Sequence, residues 1–171
     1  MLIFHERRNV TVLKYSDLTK QFNEYSEAKS RYWDRLQKAA YQLLKDLEDS
    51  LELTSTTWAD HDGATKRYVD IGSTESGEFK RVHPMTFQGE DLQYSFAVKI
   101  TLEEGANVLP KSAYFQQISL KGSESGIAVT IQGTDKVVII APNEPADGQF
   151  ANVAEAIKSR LIGALTVRDF A

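Results

Sequence analysis

The chain has 171 residues, 42% hydrophobic and 26% charged, with a formal net charge of −4. That length and balance describe one soluble globular domain able to bury a real core. With no cysteine, disulfides, thiolate metal ligands and a cysteine nucleophile are all excluded.

Charge is dispersed along the chain. Residues 1–57 carry nine basic and nine acidic side chains, and residues 58–171 carry eleven and fifteen. Without a basic block there is no general surface for a polyanion, so nucleic acid is not the expected partner. The opening MLIFHERRNV meets His5, Glu6 and Arg7 too early to form a signal-peptide apolar region. The longest apolar run, VVIIA at 137–141, is too short to span a bilayer. A cytoplasmic protein with no membrane partner is the expectation.

NVTVLKY, 9–15, has the composition of a strand. From Ser16 to Leu53 there is then no Gly or Pro. Leu18, Phe22, Tyr25, Lys29, Tyr32, Leu36, Ala39 and Leu43 fall at alternating spacings of four and three, the stripe of an amphipathic helix over 16–50. Ser16 suits its N-cap and Asp17 the positive end of its dipole. A helix of that length runs about 50 Å at 1.5 Å per residue, whereas a domain of this size is roughly 40 Å across. Two resolutions stand: a break near Tyr25–Ser30, or packing against a second copy.

From residue 53 the period drops to two, predicting an antiparallel sheet of six or seven strands over 53–141. The clearest strand is 92–103. There Leu92, Tyr94, Phe96, Val98, Ile100 and Leu102 point to a core, and Gln93, Ser95, Lys99 and Thr101 to water. VVIIA is apolar on both faces and is expected centrally or beneath the helices. GSTESG (72–77) and GSESG (122–126) read as hairpin loops. The chain closes with a helix over 149–166, striped by Phe150, Val153, Ala154, Ile157, Leu161 and Leu165. The expected class is α+β: a long N-terminal helix, an antiparallel meander, and a C-terminal amphipathic helix packed on the sheet.

Asp60-His61-Asp62-Gly63 has the residue types of a metal site, but not the spacing. With Gly63 at position 6 of a calcium loop, Trp58 falls at position 1 and Val69 at position 12. No HxH or HExxH pattern supplies further zinc ligands. Asp62-Gly63 between two strands is a preferred hairpin turn instead. GSESG lacks the central serine and the following helix of a nucleophile elbow. GSTESG lacks the Gly-Lys-Ser/Thr of a phosphate loop. No catalytic residue, metal ligand or cofactor is therefore assigned.

Two groups remain as candidate binding residues. Tyr25, Tyr32, Trp33, Arg35 and Leu36 lie on the aromatic first helix, with Trp33 just off the stripe beside Arg31 and Arg35. Tyr, Trp and Arg are the types enriched at protein interfaces. Arg81 and His83 are two apart in a strand-like run with Phe79, and a neighbouring strand would bring Asp70 or Tyr68 across to them, an arrangement that would orient the histidine as a general base or bind an anion at Arg81 and His83. The expected function is a non-catalytic interaction protein of chaperone, adaptor, or inhibitor or immunity type. It would bind another protein, or itself, through the long helix. The alternative is an enzyme or small-molecule binder with a pocket between sheet and helices.

Overall fold

The computed structural model of the protein describes residues 12–75, 77–84 and 89–166. Helix α1 runs unbroken from Tyr15 to Ser50. Three short strands follow, β1 (Thr57–Ala59), β2 (Thr65–Arg67) and β3 (Val69–Ser73). After the two-residue β4 (Lys80–Arg81) come β5 (Gln93–Leu102), β6 (Ser112–Ser123), β7 (Gly126–Ile131) and β8 (Val137–Ala141). Helix α2 (Ala151–Ala164) closes the described chain. Six strands form one antiparallel sheet in the order β4-β3-β5-β6-β7-β8, while β1 and β2 pair only with each other. The chain is α+β.

The chain divides into two units, Met1–Tyr32 and Trp33–Ala171. The first contains the start of α1. Its N-terminal cap differs from expectation: Ser16 lies inside the helix, and Asp17 reaches back to accept the N–H of Lys14 at 2.9 Å. A carboxylate three residues into a helix satisfies the N–H that the helix cannot. The strand expected over 9–15 does not form in its described part, because residues 12–14 are irregular and Tyr15 is already helical. Residues 9–11 lie outside the described chain.

The second unit holds the core. Cross-strand register puts Val69 beside Ile100, Ile71 beside Val98, Phe96 beside Ile118, and Leu120 beside Val129 on one face. All of them are buried, together with Leu36, Ala39, Ala40, Leu43 and Leu47 of α1 and Val153, Ala154, Ile157 and Leu161 of α2. The strand-5 alternation is therefore as expected from Tyr94 to Ile100. Leu92 is not part of it. It sits in the turn before the strand with φ +61° and is exposed.

Two expectations about the sheet need correction. Thr101 and Ala97 point away from the helices yet are buried. Phe79 folds back over that outer face, with its ring 5.5 Å from Phe115 and 5.0 Å from the Lys99 amine. VVIIA is the edge strand β8, with Val138 and Ile140 exposed on the outer face. An apolar run fits burial on both faces, but chain order left it last in the meander. Gly126 opens β7 at φ +149°, and a Cβ there would lie 2.1 Å from the Ala141 carbonyl oxygen, so β7 and β8 close only on a glycine.

The helices are joined end to end by side chains. Phe150, the residue preceding α2, supplies no side-chain cap. Buried Asp46 of α1 does so instead, accepting the N–H of Gly148 at 2.9 Å and of Phe150 at 2.8 Å, with Gln42 donating at 2.7 Å. In return, Lys158 of α2 donates to the Ser50 carbonyl at 3.2 Å, capping an α1 terminus that has no basic residue of its own. Replacing Asp46 by Ala strands two backbone N–H groups and should cost about 3 kcal/mol. Asp46→Asn keeps one acceptor and should cost less. Urea unfolding measures both; a loss within about 0.5 kcal/mol for Asp46→Ala would show that the cap is dispensable.

Candidate functional site

In the first unit, the apolar stripe of α1 is uncovered. Tyr15 is 84% exposed, Leu18 57%, Phe22 65% and Tyr25 59%. The helix holds these residues on one line because spacings of three and four advance about one turn. Beyond Lys14 at its start, the stripe is flanked by uncharged residues. Thr19, Gln21, Ser26 and Ala28 border it, while Asp17, Lys20, Glu24, Glu27 and Arg31 lie on the far side. Lys20–Glu24 at 4.0 Å and Glu27–Arg31 at 3.6 Å form exposed pairs there. The helix passes through Ser26 and Ser30 without a break.

In the second unit, a cleft of about 630 Å³ lies between α1 and the β3–β4 edge. Arg81 places its Nε 3.1 Å from the Asp70 carboxylate, so the expected cross-strand partner is Asp70. Tyr68 instead donates to Glu103 at 2.6 Å. His83 is not on the strand, since β4 ends at Arg81. Pro84 lacks a ladder donor and restricts the residue before it. The imidazole meets α1, where the Tyr41 hydroxyl lies 2.5 Å from Nε2. Arg67 enters from β2 and pairs with Glu48 at 2.6 Å. Leu44, Ile71, Val82 and Pro84 supply apolar walls. Buried Tyr94 donates to the Pro84 carbonyl behind this end of the cleft, and burial first, then nearby Tyr41, raises its hydroxyl above the ordinary tyrosine value.

The candidate residues thus separate. Tyr25 belongs to the exposed stripe and Tyr32 is half-buried. Trp33 is half-buried over Gly89, where a Cβ would lie 2.1 Å from its ring. Arg35 reaches Asn143 at 3.4 Å. Leu36, expected on the binding stripe, is wholly buried in the core. Arg81 and His83 share the cleft but not a partner. Leu18 and Phe22 lie on the sequence stripe and Tyr15 one turn ahead of it, though none is among the candidate binding residues. The signal that separates them from Leu36 is exposure, which periodicity does not carry. Tyr41 became part of the cleft only through the fold.

Asp60-His61-Asp62-Gly63 is the turn of the β1–β2 hairpin. One Asp60 carboxylate oxygen accepts the N–H of Asp62 at 3.0 Å and of Ala64 at 2.9 Å, and Gly63 has φ +77°. Partial burial pulls the Asp60 carboxyl upward, but the N–H groups of Ala64 and Asp62, with Lys66, outweigh it and leave it below its ordinary value. Nearby Lys111 is 1% exposed at its side chain and is held by Glu103. The carbonyls of Ala106 and Gly105 lie at 3.3 and 3.4 Å, and Trp58 and Tyr68 present their rings at 5.4 and 6.0 Å. No sequence pattern announced this lysine.

The chain matches no protein family, no curated protein and no solved structure. Among the described residues, no helix is long and apolar enough to cross a membrane.

Lys111, then Tyr68, holds the Glu103 carboxyl below its ordinary value. A depressed carboxyl stabilises fully above its unfolded pKa, and the stabilisation is lost as pH falls through the folded pKa. The contribution is thus present at neutral pH and fades below about pH 4. Thermal midpoints of the native chain and Lys111→Met should therefore differ most at neutral pH and converge toward pH 3. A gap that stays constant over that range would rule the pair out as its source.

Proposed function

We propose that this protein is a non-catalytic interaction protein that acts by binding another protein through the first turns of α1. Chaperone, adaptor, and inhibitor or immunity-type roles all share that mode of action. The supporting observation is the exposure of Tyr15, Leu18, Phe22 and Tyr25 on one helical line. A contiguous apolar surface of several hundred Å² is uncommon on a soluble monomer and marks a contact surface. Aromatic side chains anchor such contacts, since each removes a large area from water with few rotatable bonds. The stripe suits the helix-in-groove mode, in which residues at spacings of three and four enter a partner's apolar groove.

Affinity capture with the full chain should retain a partner that the Phe22→Asp, Tyr25→Asp chain loses by tenfold or more, the cost of one or two anchor residues. Both substitutions are on exposed positions, so the unfolding midpoint of the core should stay unchanged. Equal capture by both chains would refute the stripe as the docking element.

A second reading rests on the cleft, where Arg81 with Asp70 and Tyr41 with His83 come from different elements. Its volume of about 630 Å³ suits a small molecule. Under this reading, a metabolite panel should include a compound that raises the melting temperature of the native chain but not that of Arg81→Ala. A panel that moves both chains alike, or neither, would count against it.

A further inference from the structure

We infer that the occupant of the α1 stripe is the same stripe of a second copy, paired antiparallel about a two-fold axis near Phe22 and Tyr25. This rests on the interaction reading above and names its partner. Read in either direction the stripe has tyrosine at both ends and aromatic residues at its centre. Laid against its own reverse, it sets Tyr15 beside Tyr32, Leu18 beside Lys29, and Phe22 beside Tyr25, and each pairing recurs across the axis. Every one of these layers joins the two alternating seam positions of a heptad, as an antiparallel helix pair requires.

Lys29 decides the direction. In a parallel pair in register, the two Lys29 side chains would face each other in the seam. In the antiparallel pair each lies along Leu18 of the second copy, its methylenes covering the leucine and its amine reaching water. Between Leu18 and Lys29 the margins are compatible with a like copy, because Thr19, Gln21, Ser26 and Ala28 bring no charge into opposition; only at the two ends does Lys14 of one copy come to the side of Arg35 of the other. The size also fits. Tyr15, Leu18, Phe22 and Tyr25 offer on the order of 500 Å² of side chain per copy. With the marginal residues, the pair approaches the roughly 800 Å² per partner of a stable interface.

A chain without cysteine allows a direct test. Full-length Leu18→Cys and Lys29→Cys chains are mixed under mild oxidation, alongside each chain alone. The antiparallel pair predicts a covalent dimer in the mixture and none in the separate samples, where like positions lie about 16 Å apart, beyond disulfide reach. Sedimentation of the native chain should show a dimer that Phe22→Asp reduces to monomer. A covalent dimer from Leu18→Cys alone would overturn the antiparallel arrangement. A native chain that stays monomeric throughout a concentration series, with no crosslink in the mixture, would overturn self-association. If that monomer still captured a different protein, lost on Phe22→Asp, Tyr25→Asp substitution, the interaction reading would stand without this one; if it captured none, both would fall.

Discussion

The reciprocal capping of the two helices is the constraint on which the second unit depends. A helix start exposes N–H groups that must find acceptors, and α2 begins in a buried place without a side-chain cap of its own. Asp46 resolves this from another helix, and Lys158 answers at the opposite terminus. A buried carboxylate is tolerated only where donors surround it, and here two backbone N–H groups and Gln42 do so. The cap fixes the axial position of α2 on α1, so that Val153, Ile157 and Leu161 reach the sheet together with Leu36, Leu43 and Leu47.

The same helix serves two purposes along its length. From Leu36 onward Leu36, Ala39, Ala40, Leu43 and Leu47 are core, and the loop before α2 is fastened to the helix by Arg35, Lys45 and Asp46. From Tyr15 to Tyr25 its apolar residues are exposed. One amphipathic pattern with no interruption by Gly or Pro propagates through both regions. Helix formation is cooperative, so a well-packed end stabilises turns beyond it. An exposed stripe on such a helix is ordered before any contact is made, which would lower the entropy lost if a partner bound there.

The cleft illustrates a different construction. Its polar groups are tied in pairs, Arg81 to Asp70, Arg67 to Glu48 and His83 to Tyr41, each pair crossing between elements. Such cross-ties hold side chains in place while Leu44, Ile71 and Val82 provide apolar wall. They also fasten the short β2 and the end of β4 to the body of the unit. The pairs do this work whether or not a ligand enters.

Periodicity determined much of this protein directly. The uninterrupted run after Ser16, the alternation through Phe96, Val98 and Ile100, and the stripe from Phe150 to Leu161 each report an apolar face, because side-chain direction repeats with the backbone geometry. Asp62-Gly63 marked its turn because only a few residues accept that conformation. Tertiary structure decided what periodicity does not encode. An apolar residue has the same spacing whether covered or bare, so Leu36 and Phe22 look alike in sequence and differ completely in exposure. VVIIA became an edge strand because pairing order, not composition, assigns the last strand of a meander. Phe79 folded over the outer face from a loop, and Asp46, Lys111 and His83 found partners on other elements. Those contacts arise where separate elements meet, so no local pattern could carry them.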